Sequence, residues 1–156
     1  MKRTFAIFLD YVNLERGLPD RIENFRDFSW LLDPILEKGS ILYGFCFIPE
    51  HYLARAPVMQ LSHRHQFQII VCPRQIEGVI TKDEDTVDAK LIDLARTMIE
   101  HDDFTDLVII SGDADLLPLA ETAKWHRKRV TVVSPKRALS GRFLDLGDRV
   151  DVQTFE

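Results

Sequence analysis

The sequence predicts an α/β protein in which a mainly parallel sheet is covered by helices, and two observations lead there. Short apolar runs alternate with amphipathic stretches along all 156 residues, the pattern of consecutive βαβ units. The runs Leu107-Val108-Ile109-Ile110 and Val130-Thr131-Val132-Val133 are mostly β-branched and continuous, which suits strands buried on both faces. Strands are expected near Thr4–Leu9, Ile41–Ile48, Phe67–Cys72, Asp106–Ile110, Val130–Val133 and Val150–Phe155.

The clearest helix is predicted over Thr86–Glu100, where Val87, Leu91, Leu94, Ala95 and Met98 recur at helical spacing. Either Asp85 or Thr86 caps it, and Asp88 falls in its first turn. The preceding Asp83-Glu84-Asp85 reads as a solvated helix entry favoured by the dipole. A second helix is expected over Leu116–Arg127, with Pro118 tolerated in its first turn. Two more are expected around Trp30–Glu37 and Tyr52–Arg64, their boundaries blurred by Pro34 and Pro57. No repeat, low-complexity tract or linker interrupts the chain. Residues 1–156 therefore read as one domain, able to bury about 70% of its unfolded-chain surface.

Composition narrows the function. The chain is 46% hydrophobic and 29% charged, ordinary for a globular protein. A formal net charge of −5 excludes a global basic field, so a polyanionic partner needs a local patch and metal-neutralised acids. Cys46 and Cys72 sit in apolar runs and read as small buried hydrophobes, consistent with a reducing cytoplasm. Lys2 and Arg3 precede an apolar run, but Phe5–Leu9 is too short for a secretory leader. No stretch reaches membrane-span length. The five histidines are scattered without a helical i,i+4 pair, which argues against zinc, and no Walker or dinucleotide glycine motif is present.

Four aspartates stand out. Asp10 ends the run Phe5-Ala6-Ile7-Phe8-Leu9, and Asp113 and Asp115 follow Leu107–Ile110 in Ser111-Gly112-Asp113-Ala114-Asp115. Any one of them could be an ordinary turn or cap residue. In an open parallel sheet, however, ligands bind beyond the carboxyl ends of the strands, where strand order reverses. If these two strands are neighbours there, three acids share one crevice. A helix feeding the second strand starts at the same edge, so Asp88 can reach it. Two carboxylates about 4 Å apart repel by about 4 kcal/mol at an effective dielectric of 20, so the acids must protonate or bind a cation. Oxygen ligands select Mg²⁺ or Mn²⁺. Such an ion can lower the pKa of a bound water and stabilise an in-line displacement at phosphorus.

Three stretches then carry a resemblance. Phe8-Leu9-Asp10-Tyr11-Val12-Asn13-Leu14 resembles the opening D-x-x-N-L of NYN domains, the PIN-like nucleases of the LabA-like group. Val87-Asp88-Ala89-Lys90-Leu91-Ile92-Asp93 resembles their second acidic motif. The stretch from Val108 to Leu119 resembles their S-G-D-x-D-F-x-P-L block. The likeness covers nearly the whole chain, although Tyr11 replaces a frequent small residue and Leu116 the usual Phe. It implies a PIN-like three-layer α/β/α sandwich and a metal-dependent ribonuclease that leaves a 5′-phosphate and a 3′-hydroxyl. By the same likeness Asp10, Asp88, Asp113 and Asp115 become catalytic metal ligands for Mg²⁺ or Mn²⁺. Asp10, Asp113 and Asp115 would hold the ion, and Asp88 would complete the shell or help activate water. Asn13 would position a ligand water or phosphate, and Ser111 would orient the acidic loop.

Basic residues follow the strands at the same edge: Arg16 and Arg21, His51 and Arg55, Arg74 and Lys82, then Lys136, Arg137 and Arg142. A cationic ring gripping flanking phosphates through Arg74, Lys82 and Arg137 and simple charged loops are both open readings. The run from Lys124 to Arg129 precedes a strand and belongs to the opposite edge. It reads as a solvated helix end, with Trp125 packed against the sheet. RNA, single-stranded or structured, is the expected partner, with no membrane and with homo-oligomer formation left open. A Toprim-like enzyme would want a glutamate at position 10, and a haloacid dehalogenase-like phosphatase an acid at position 12. The rival of another class is a non-catalytic NYN-type RNA-binding or regulatory module.

Overall fold

The computed structural model describes residues 2–17, 28–73, 75–76, 79–80 and 83–155. Its first strand explains the rest. In β1 (Arg3–Asp10), Phe5, Ile7 and Leu9 enter one apolar core while Ala6 and Phe8 enter another. Successive side chains of a strand point to opposite faces, so a continuous apolar run means a strand covered on both sides.

Six strands form one parallel sheet: β1, β2 (Gly39–Pro49), β3 (Gln68–Cys72), β6 (Asp106–Ile110), β7 (Arg129–Pro135) and β8 (Asp151–Phe155). Their spatial order is β3-β2-β1-β6-β7-β8. The chain moves outward from β1 through β2 to β3, then returns to place β6 on the other side of β1. That reversal opens a crevice at the carboxyl ends of β1 and β6. A separate antiparallel pair, β4 (Gln75–Ile76) with β5 (Val79–Ile80), precedes the longest helix and has no counterpart in the predicted elements.

The helices make the outer layers. One face carries α4 (Asp83–His101) and α5 (Leu117–Trp125), through Val87, Leu91, Ala95, Leu119, Ala120 and Ala123. The other carries α1 (Tyr11–Gly17), α2 (Ser29–Leu36) and α3 (Ala56–His65), through Leu14, Leu31, Leu32, Ile35, Val58 and Leu61. The result is the expected three-layer α/β/α sandwich. Cys46 and Cys72 are free and buried. Among the described residues, no helix is long and apolar enough to cross a membrane.

Several local expectations need correction. α4 starts at Asp83, so Asp88 lies in its second turn; the acidic triplet belongs to the helix it was expected to precede. The helix predicted over 52–64 divides into a 3-10 turn, Glu50–Tyr52, and α3, because Pro57 suits a helix start. Trp125 is 85% exposed instead of packed on the sheet. The packed face of α5 is Leu119, Ala120 and Ala123, and a residue two positions past Ala123 points elsewhere. Lys128, assigned to a solvated helix end, is buried. Arg127 adopts a left-handed backbone (φ 62°), and the chain turns Lys128 inward. There its Nζ donates to the carbonyls of Asp102 (2.9 Å) and Phe104 (2.8 Å) and lies 3.9 Å from the centre of the Phe104 ring.

Candidate metal centre

Strand ends position the acids. Asp10 is the last residue of β1 and Ser111 the first after β6, so the parallel pairing of Leu9 with Ile110 sets them side by side. The Ser111 hydroxyl donates to Asp10 Oδ2 at 3.2 Å and accepts the Asp113 backbone N–H at 3.2 Å. Asp10 Oδ1 accepts the Asn13 N–H at 3.3 Å, closing the first turn of α1. Asn13 Oδ1 in turn accepts the Gly112 N–H at 2.9 Å. The side chain expected to hold a water or phosphate thus ties α1 to the β6 loop. Gly112 has no room for a side chain, since a Cβ would lie 2.2 Å from the Ala138 carbonyl oxygen.

From the opposite layer, α4 brings Asp88. Carboxylate oxygens of Asp10, Asp88 and Asp113 all lie within 4.8 Å of one another. Asp10 and Asp88 are buried and Asp113 half-buried. Asp115, expected in the same shell, is exposed and stands outside this group. Its backbone N–H donates to Asp113 Oδ1 at 2.9 Å. The cause is the 3-10 turn Ala114–Leu116, in which Asp113 is the cap. Capping fixes Asp113 at the crevice and turns the next acid outward.

Electrostatics follow from burial and crowding. Desolvation raises the Asp10 carboxyl to about 6, opposed by its hydrogen bonds from Asn13 and Ser111 and by Arg16, and helped by the Asp113 charge. Asp88 is pushed up to about 9, first by desolvation, then by the Asp10 charge and by its contact with Asp113. Asp88 Oδ1 is buried with no hydrogen-bond partner. A buried acceptor without a donor costs about 1–3 kcal/mol. A buried carboxylate with an orphaned oxygen, grouped with two more carboxylates, fits a divalent cation, and the all-oxygen donor set fits a hard one. Asp10, Asp88 and Asp113 could hold it.

The expected cationic ring is only partly placed. Arg137 is exposed on the 3-10 turn Lys136–Ala138, which follows β7; two residues beyond the turn, the Ser140 N–H donates to the Gly112 carbonyl at 2.8 Å. Arg16 is exposed on α1 and acts on Asp10. Arg55 pairs with Glu15 and its guanidinium lies 3.5 Å from the centre of the Tyr52 ring, so much of its charge is engaged within the protein. Arg21, Arg74 and Lys82 lie outside the described residues. The Glu15–Arg55–Tyr52 group had no sequence signal, because it joins elements 40 residues apart.

Comparison with known proteins agrees with the fold. The crystal structure of a protein of unknown function from Vibrio parahaemolyticus is similar with a TM-score of 0.69 and 17% identity, over 99% of this chain and 94% of that one. No curated protein matches the sequence at a significant level. The family model of the NYN domain matches residues 4–150, a span that holds all four aspartates and both sides of the crevice. The chain belongs to the NYN domain family.

Proposed function

We propose that this protein is a metal-dependent ribonuclease that hydrolyses RNA phosphodiester bonds. The observation that carries the reading is the convergence of Asp10, Asp88 and Asp113 within 4.8 Å at the switch point of the sheet. Membership of the NYN family supports it, and the Ser111-Gly112-Asp113-Ala114-Asp115 block supports placement in the LabA-like group. Asp10, Asp88 and Asp113 would hold Mg²⁺ or Mn²⁺, which would supply charge neutralisation, a nucleophile at neutral pH and orientation of the scissile phosphate.

The chain's own residues do the rest. Ser111 and the Asn13 N–H hold both oxygens of Asp10, leaving its remaining lone pairs to the crevice. Asp88, whose carboxyl is pushed up by burial and then by the Asp10 charge and its contact with Asp113, would give up its proton as the cation binds. Asp115, at the rim, orients a water or a phosphate oxygen beyond the three inner ligands. Arg137 and Arg16 meet flanking phosphates, as do Arg74 and Lys82 by their place in the sequence. Products are a 5′-phosphate and a 3′-hydroxyl, and the site of action is the cytoplasm.

The test is cleavage of end-labelled single-stranded and hairpin RNAs in Mn²⁺, Mg²⁺ or EDTA. Cutting is expected with either metal, abolished by EDTA and by Asp10→Asn or Asp113→Asn. Retained cutting in both variants would reject this site. RNA binding without turnover by the wild type would leave the non-catalytic RNA-binding module.

A further inference from the structure

The edge of the sheet opposite the acids carries a feature the proposed reaction does not use. Trp125, the last residue of α5, presents an 85% exposed indole. It borders a hollow of about 350 Å³ whose apolar floor includes Leu146 and Val150 and whose rim carries Lys124 and Arg149, with Glu121 as its acid. An adjoining hollow shares Lys124 and Arg149 and adds Lys38 and Arg129, set against Asp148 and Asp151. Lys38, Lys124, Arg129 and Arg149 are all exposed. Against Glu121, Asp148 and Asp151 these four cations leave the patch slightly positive, in a chain of net charge −5.

A large bare indole costs solvation, and an exposed tryptophan among cations suits a partner with flat π faces and negative charge. Single-stranded nucleic acid has both: a base stacks on the ring while its phosphates meet the rim. A duplex would keep its bases stacked inward and offer the indole nothing. We infer that the amino edge of the sheet around Trp125 is a second, metal-independent binding surface for single-stranded RNA. That the strand is RNA and not DNA rests on the ribonuclease reading. The surface lies a strand length from the acids, about 20 Å for the seven residues of β7. It would therefore anchor RNA outside the segment being cut.

The probe is fluorescein-labelled 12-residue oligouridylate, with oligodeoxythymidylate beside it, titrated in EDTA against Asp113→Asn protein so that neither metal nor turnover contributes. Binding should quench tryptophan emission. Trp125→Ala should weaken affinity about tenfold, and Lys124→Glu with Arg129→Glu should lower the salt slope by roughly two. All three positions are exposed, and circular dichroism melting should confirm an unchanged fold. Trp125→Ala binding as tightly as the unsubstituted protein would overturn the inference. So would a dimer, by sedimentation, that Trp125→Ala dissolves, since the face would then be an interface between copies. Equal binding of the DNA oligomer would overturn the assignment to RNA. Failure of cleavage with intact, Trp125-dependent binding would count against the ribonuclease alone.

Discussion

Replacing Asp88 with Asn should make the metal-free protein more stable, although it removes a proposed ligand. Its carboxyl is raised from 3.8 to about 9 in the fold, and its Oδ1 has no donor. Below pH 3.8 the folded and unfolded chains both hold this proton, and the variant gains nothing. As pH rises further, the unfolded chain releases the proton while the fold retains it. Each pH unit then costs the wild type about 1.4 kcal/mol. By pH 7 the full linkage is about 4 kcal/mol, which solvent at the mouth of the crevice reduces to about 2 kcal/mol. An amide escapes this penalty. For a chain of this length the gain is about 4–8 °C in Tm. The assay is thermal melting of both proteins in EDTA from pH 4 to pH 8, then with millimolar Mn²⁺. The gap should open with rising pH, and Mn²⁺ should raise the wild type far more than the variant. An Asp88→Asn protein that melts at or below the wild type at pH 8 in EDTA would show that burial does not hold the Asp88 carboxyl up. So would a gap that does not change with pH.

Other perturbations separate the parts of the fold. Gly112→Ala places a Cβ 2.2 Å from the Ala138 oxygen and 2.4 Å from Ser134 Oγ. It should cost about 3 kcal/mol in urea unfolding and displace the loop that carries Asp113. Ser111→Ala removes the donor to Asp10 and the acceptor for the Asp113 N–H. Stability should fall by about 1–2 kcal/mol, and the acid limb of the pH–rate profile should move to higher pH as Asp10 loses a stabiliser of its charged form. Lys128→Met leaves the carbonyls of Asp102 and Phe104 without their donor. A loss of about 2 kcal/mol is expected, with metal-dependent cleavage at the far edge unchanged.

Much of this was legible before the structure. Continuous apolar runs marked β1, β6 and β7 because burial on both faces removes the alternation a half-exposed strand shows. Asp10 and Asp113 were legible because strand ends at a switch point share a crevice whatever the sequence between them. What escaped depended on contacts that spacing does not encode. The seven-residue α1 is too short for a periodic pattern and is held by Asp10 and Asn13. That Asp88 joins Asp10 and Asp113 while Asp115 stands exposed outside the group follows from a single cap, Asp113, and its 3-10 turn. Trp125 is exposed because it lies off the packed face of α5, whereas Lys128 turns inward after one left-handed residue, Arg127. A basic run in sequence does not show which lysine the chain will fold inward.

The proposed metal site consists of three carboxylates, with Asp115 outside it. Manganese titration followed by electron paramagnetic resonance, on the wild type and on Asp10→Asn, Asp88→Asn, Asp113→Asn and Asp115→Asn proteins, tests that most directly. One tight site is expected in the wild type, lost in the first three variants and only weakened in the fourth. Equal loss in all four, or tight binding that survives Asp88→Asn, would contradict the three-carboxylate site.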